Sequence, residues 1–329
     1  MKRLKATSNR KHTLANGKVK TYKYPRKPVQ RKSGLTVAQA ISEYRQSPAW
    51  TKLADSTKMN NLRYMRVFEE TYAQPDEHGQ EIMLRDLRRE HLTKVRDAVV
   101  AAAHARNPQD TGHGAGLVYC RAVSKLFSWC VKEGRLPLSP AILLATDLEV
   151  GSHPTWTQEE LRICLEGLPR HLARAVQLAH ATGLRRSDLC AMTWNQITEQ
   201  GIECVGDHAL IKTGVEIIIP ITDEFRAVLA RWRHGASHDY VLSNKDGQPM
   251  KETSLTSGLS RALKKIGIER RINTHGIRKM VLTELADDGC SVYEIMAVSG
   301  HKAAASVAKY VEARNNFKLA QSGMAKRRK

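Results

Sequence analysis

The chain has 329 residues, 41% of them hydrophobic and 5% aromatic, with 53 Lys and Arg against 33 Asp and Glu for a formal charge of +20. That length suits two domains with separate cores, and the small aromatic share predicts cores of Leu, Ile, Val and Ala. No apolar run approaches the ~20 residues of a membrane span, and the basic N-terminus lacks the hydrophobic stretch of a secretory signal, so a cytoplasmic protein is expected.

Residues 1–34 hold twelve Lys or Arg and no Asp or Glu, and the closing KRRK adds four more, which leaves +4 for 35–325. Most of the excess charge therefore lies on two ends expected to be flexible. Basic arms of this kind suit a polyanion, because each neutralised phosphate releases counterions. A merely solubilising tail is the bland alternative, and neither end has the apolar face of a membrane anchor. GKVKTYKY alternates well enough for a short strand or an extended arm, with Tyr22 and Tyr24 among lysines.

From residue 35 the pattern turns helical. Thr36 and Gln39 form a capping box for a helix through Tyr44. Further helices are predicted over 56–72, carrying Leu62, Met65, Val67 and Phe68, over 84–104, and over 116–132, carrying Val123, Leu126, Phe127 and Cys130 and ended by Gly134. Three prolines and two glycines in 134–155 mark a connection, with a boundary near 150. Thr157 and Glu160 then cap a helix, and 170–182 forms another, stopped by Gly183. After Trp194, IECV, ALIK and VEIII read as three short antiparallel strands. Helices resume near Thr222, Ser254 and Asn273, and Ser291 with Glu294 caps one that Gly300 ends. The six cysteines, at 120, 130, 164, 190, 204 and 290, show no CxxC spacing, so reduced thiols are expected rather than a zinc site. Neither a GxGxxG nor a Walker lysine loop is present, which argues against a nucleotide-dependent enzyme.

Four short stretches carry polar groups that a fold would have to justify. In ATGLRRSDLC, Arg185 opens a helix where the local dipole gives it nothing, and Asp188 three residues on can orient its guanidinium. In NTHGIRKM, His275 and Arg278 are also three apart and project together from a first turn, an arrangement suited to gripping phosphate oxygens beside a group that moves protons. Lys212 sits by the turn of ALIKTGVEIIIP, where it either faces solvent or acts as a mobile finger toward a phosphodiester. In VSGHKAAASVAKYV, His301 and Tyr310 are nine residues apart, so a single regular helix would not bring them together and a break after His301 is required.

Taken in order, Arg185 in TGLRRSDL, Lys212 in the KTG hairpin, His275 and Arg278 in HGIR, His301 in GH, and Tyr310 resemble the active-site set of the tyrosine recombinases, phage integrase type. Asp188 stands where that family often has Glu, Lys279 where it often has His, and Val307 where it often has Thr. The resemblance implies a mainly α fold with a small antiparallel β-sheet, in which a helical core-binding domain precedes the catalytic domain. It implies a basic DNA-contacting arm at 1–34, the core-binding domain at 35–150, the catalytic domain at 155–313 and a basic tail at 314–329.

The implied activity is site-specific DNA recombination, for integration or excision of a mobile element. Tyr310 would attack a DNA phosphate to give a 3′-phosphotyrosine, with Arg185 and Arg278 clamping the phosphate and Lys212 as general acid. His275 would serve as acid/base, His301 would position the phosphate or the tyrosine, and Asp188 would support them. Neither cofactor nor metal is implied. The partners implied are double-stranded DNA at attachment or crossover sites, a homo-tetramer on paired DNA formed from free monomers, and accessory proteins that set direction, in a prokaryotic host. Two rivals remain at this level: a type IB topoisomerase-like relaxing enzyme, and a DNA-binding regulator that keeps the scaffold without cutting.

Overall fold

The computed structural model describes residues 7–13, 19–25, 34–72, 82–236, 238–312 and 316–327. The chain divides into two compact units between Gly151 and Ser152. No helix among the described residues is long and apolar enough to cross a membrane.

The N-terminal segment contributes a hairpin, in keeping with the short strand that GKVKTYKY suggested. Strands β1 (Thr7–Thr13) and β2 (Val19–Pro25) pair antiparallel, with Thr7 opposite Pro25 and Thr13 opposite Val19. Helices α1 (Val37–Gln46), α2 (Pro48–Thr51), α3 (Asp55–Tyr72), α4 (Arg89–Arg106) and α5 (His113–Lys132) follow. The Thr36 capping box forms as its spacing requires, with Thr36 Oγ1 accepting from the Gln39 amide at 3.2 Å. The helix expected over 84–104 is shorter. A single 3-10 turn covers Leu84–Asp86, and α4 starts only at Arg89. The reason is a competing use of the backbone, because Met83 bridges Thr36 and the Leu84 amide donates to Leu35 at 2.8 Å.

The core of this unit also departs from the composition argument. Phe68, Tyr119 and Phe127 are fully buried beside Met65, Leu92 and Leu126. The Phe68 and Phe127 rings meet edge to face, with centroids 5.9 Å apart. Seven of the eleven aromatic side chains buried among the described residues lie in this unit, and a whole-chain percentage hides that.

The second unit begins with α6 (Gln158–Gly167), α7 (Arg170–Thr182) and α8 (Arg186–Ala191). Its small sheet has two strands, β3 (Ile202–Cys204) and β4 (Ile217–Ile219), antiparallel with Ile202 opposite Ile219. The expected middle strand at ALIK does not form. Leu210 closes a tight turn instead, accepting from the Thr213 and Gly214 amides, while the Ile211 amide goes to the Asp188 carboxylate. Helices α9 (Asp223–His234), α10 (Glu252–Lys265), α11 (Thr274–Asp287), α12 (Val292–Ser299), α13 (Ala305–Glu312) and α14 (Asn316–Arg327) complete the described chain.

Helix α11 lies at the centre of this unit and buries Ile277, Arg278, Met280, Val281, Leu282 and Ala286. Gly276 is what lets the preceding segment lie against it. A Cβ there would stand 2.3 Å from the Pro154 carbonyl oxygen and 2.9 Å from the Trp156 ring. Gly276→Ala should therefore destabilise this unit by ~1–3 kcal/mol, the usual cost of overpacking. Amide exchange of α11 measures it, and unchanged protection would show that the 152–156 segment yields freely.

Candidate functional site

Four helix ends supply the site. Helix α7 stops at Thr182 because Gly183 adopts a left-handed conformation (φ 61°), and α12 stops at Ser299 because Gly300 does the same (φ 63°). Each stop leaves a carbonyl without a helical partner. The buried guanidinium of Arg278, on α11, takes both: Nη1 donates to the Gly183 oxygen and Nη2 to the Ser299 oxygen, each at 2.7 Å. Arg278 is only 2% exposed.

The same Nη2 approaches His301 Nδ1 at 3.3 Å, and Ser299 Oγ lies 2.7 Å from that nitrogen. A guanidinium can only donate, so the ring nitrogen it addresses is an acceptor; Nη2 lies within reach of both, with Nε2 at 3.5 Å. The chain then breaks over 301–304, as the spacing of His301 and Tyr310 demanded, and α13 begins at Ala305. Val307 is fully buried on a small core of Leu282, Ala286 and Ile295, and Tyr310 packs half-buried against it. The Lys309 ammonium lies 5.1 Å from the centroid of the Tyr310 ring. Among the described residues the Tyr310 hydroxyl has no hydrogen-bond partner.

Electrostatics tie these groups into one cluster. Arg278 is pushed down to about 10, first by burial and then by Arg185, against the opposing pull of Asp188 and Tyr310. It stays charged at neutral pH. His275 and His301 both fall to about 4, chiefly through desolvation, with His153, Arg278, Lys279 and Lys309 acting on the former and Arg278, Arg185, Lys309 and His275 on the latter. Both are neutral at physiological pH. Burial raises the Tyr310 phenol above its ordinary value, with Arg278 opposing, so it too is protonated.

Arg185 holds the extended position before α8, and its Nη1 is buried without a partner. Its sequence-predicted companion does a different job. Asp188 is buried and accepts the Ile211 amide at 2.9 Å through Oδ1, while Oδ2 has no partner. It influences Arg185 and Arg278 through space rather than by an ion pair. Asp188 thereby anchors the turn that carries Lys212. The Lys212 side chain is exposed and makes no hydrogen bond or ion pair among the described residues. Arg185, Asp188, His275, Arg278, His301 and Tyr310 thus converge, and the Lys212 ammonium does not join them in this conformation.

Sequence reasoning missed three contributors. Ser299 orients His301 from the last turn of α12. Lys309 adds positive charge beside both histidines. His153, in a segment read only as a connection, sets its ring edge on His275 at 5.4 Å. The first two adjoin residues already singled out, whereas nothing in the sequence distinguished His153.

Known proteins share this arrangement of elements. Residues 158–316 match the family described as the phage integrase family. Tyrosine recombinase XerC of Xanthomonas campestris pv. campestris is 22% identical over 212 residues, covering 61% of this chain and 64% of that protein. The XerC of Staphylococcus saprophyticus is 25% identical over 148 residues, covering 43% of this chain and 48% of its own. This chain thus matches a little under two thirds of the length of the first of these relatives. Among solved structures, a lambda integrase tetramer bound to a Holliday junction superposes with a TM-score of 0.68 at 17% identity, covering 89% of this chain and 83% of that one. The Tn1549 transposon integrase in complex with a circular intermediate DNA gives 0.70 at 15% identity, covering 89% and 100%. At these identities the structural likeness establishes the fold.

The lowered imidazoles make a checkable statement. Between about 6.5 and about 4 the unfolded chain binds protons at His275 and His301 that the folded chain does not, so their contribution to stability is complete above that window and lost on acidification through it. Histidine ring resonances followed by NMR should show both titrating well below the other exposed histidines. Midpoints near 6.5 would contradict the action of the surrounding cations on these two rings.

Proposed function

We propose, from the match of residues 158–316 to the phage integrase family, that this chain is a tyrosine recombinase of that family, a site-specific DNA recombinase acting through a covalent 3′-phosphotyrosine. One observation carries the reading: two guanidinium groups, two neutral imidazoles and a phenol are gathered with a buried Arg185 Nη1 still lacking an acceptor. A cluster this cationic, served by the one partly engaged carboxylate of Asp188, suits a bound anion. A phosphodiester supplies one with two nonbridging oxygens for two arginines.

The proposed chemistry follows from the protonation states. A phenol of ordinary pKa ~10 costs about 4 kcal/mol to ionise at pH 7, and burial here adds to that cost. Tyr310 therefore attacks with its proton leaving at the same moment, and neutral His275 is the acceptor. As the Tyr310 oxygen bonds to phosphorus, the bond to the 5′ oxygen breaks. Arg185 and Arg278 stabilise the five-coordinate state, and His301 hydrogen-bonds the phosphate. Lys212 protonates the departing 5′ oxygen, its unengaged side chain being free to reach the bound strand. No bond energy is lost to water, because the phosphotyrosine ester keeps it. The 5′ hydroxyl of a second strand then reverses the attack and completes the exchange.

The remaining assignments belong to the same reading. The unit ending at Gly151 binds the core DNA site, the segment 1–34 adds phosphate contacts, and four chains assemble on two duplexes in the cytoplasm of a prokaryotic host. Attachment or crossover sites are the substrates, accessory proteins set direction, and integration or excision of a mobile element is the outcome.

Tyr310→Phe should bind a nicked duplex taken from the DNA flanking the gene as the wild type does, yet give no covalent adduct on a denaturing gel. An adduct at the wild-type level would remove Tyr310 as the nucleophile. Deleting residues 1–34 should weaken binding and flatten its salt dependence, the log–log slope falling by about 0.9 for each phosphate that is no longer neutralised. An unchanged slope would mean that this segment does not touch DNA.

A further inference from the structure

The segment joining the two units is bolted to the first turn of α11 by a set of bonds that no helix-packing requirement explains. The Lys279 ammonium donates to the His153 carbonyl at 2.7 Å and to Ser152 Oγ at 3.2 Å. Trp156 Nε1 donates to the Asn273 carbonyl at 2.9 Å, and Arg270 donates to the Thr155 carbonyl at 2.9 Å. Gly276 admits the Pro154 carbonyl where any side chain would collide with it. Five consecutive residues, 152–156, are thereby fixed over the start of the helix that carries His275 and Arg278.

Within this strap the His153 imidazole has a defined state. Asn273 Oδ1 accepts the His275 and Gly276 amides at 2.9 and 3.1 Å, so its other side-chain atom must be the amide nitrogen. That nitrogen lies 3.1 Å from His153 Nδ1 and can only donate. His153 Nδ1 is therefore the acceptor, and the neutral ring carries its hydrogen on Nε2. One residue, Asn273, both caps α11 and orients the ring whose edge meets His275.

We infer that His153 is a positioning residue for His275: held by Asn273, its ring lies against one side of His275 and keeps that imidazole oriented for proton transfer at Tyr310. The groups facing His275 are His153 from the strap, Arg278 and Lys279 from its own helix, and Lys309 from α13. Those facing His153 are Asn273, Lys279 and His275. The three other groups around His275 are cations. His153 is the one ring among them, and its Nδ1 is committed to the Asn273 side-chain amide. The orientation of the proton acceptor is thus linked to the docking of the connecting segment. The catalytic part of this inference rests on the function proposed above, whereas the physical part does not.

Two measurements on the full-length chain keep these parts distinguishable. In the DNA-free protein, His153→Ala should move the NMR titration midpoint of His275 upward from about 4 toward 6.5. His153→Gln, which retains an acceptor for Asn273, should move it less. An unmoved midpoint in His153→Ala overturns the inference whatever the enzyme does. On the nicked flanking duplex, His153→Ala should lower the single-turnover rate of adduct formation about tenfold, a part of the ~10²–10⁴-fold that general acid–base catalysis supplies. DNA affinity should be unchanged, the acid limb of the pH profile should shift, and His153→Gln should restore most of the rate. A wild-type rate and pH profile in His153→Ala would overturn the positioning role. Failure of wild-type protein to form any adduct would instead count against the proposed recombinase.

Discussion

A single buried guanidinium organises the second unit. Among the described residues no carboxylate forms an ion pair with Arg278, and its charge is compensated by the carbonyl ends of α7 and α12, where the helix dipoles are negative. Burying a cation without such partners would cost several kcal/mol. The two glycine stops and the position of α11 are consequently one arrangement seen from three elements. Three other groups are placed around it: His301 leans on Nη2, Arg185 stands two residues after the Gly183 stop, and Tyr310 arrives on the helix that packs beside α11.

Around this fixed point the site divides into engaged and unengaged parts. The arginines and the histidines belong to packed helix ends. Lys212 sits on a turn secured by backbone bonds, one of them to Asp188, while its side chain is unengaged. Such a division suits a reaction in which the phosphate must be held still while the proton donor visits only when the leaving oxygen departs. It also explains why Asp188, which looked like a partner for an arginine, is better understood as a mooring for the opposite side of the site.

The sequence was most legible where local chemistry alone decides the outcome. The three capping boxes at Thr36, Thr157 and Ser291 form as their spacing dictated, and Gly183 and Gly300 end helices where they were expected to. It was least legible where distant segments compete for the same backbone groups. ALIK has the residues of a strand, but its Ile211 amide is claimed by a carboxylate 23 positions earlier. The start of the 84–104 helix gave up its first turns to pairing with Leu35 and Thr36. The candidate residues could be picked out by type and order. Their convergence could not be derived from spacing, because it depends on a nine-residue interval that bends only after the left-handed Gly300. His153 was invisible for the same reason: its role comes from an approach across 122 positions to His275, and no periodicity marks it.

Gly300 has a second neighbour. A Cβ at that position would lie 2.1 Å from Leu210 Cδ1, the fully buried residue at the base of the Lys212 turn. The bare backbone of one segment and the aliphatic bulk of the other are therefore a matched pair, fitted like a notch and its key. Anyone transplanting the 205–216 loop into a related scaffold would need to carry both halves. Moving the loop without its glycine would seat the lysine out of line while leaving every polar group of the recipient intact.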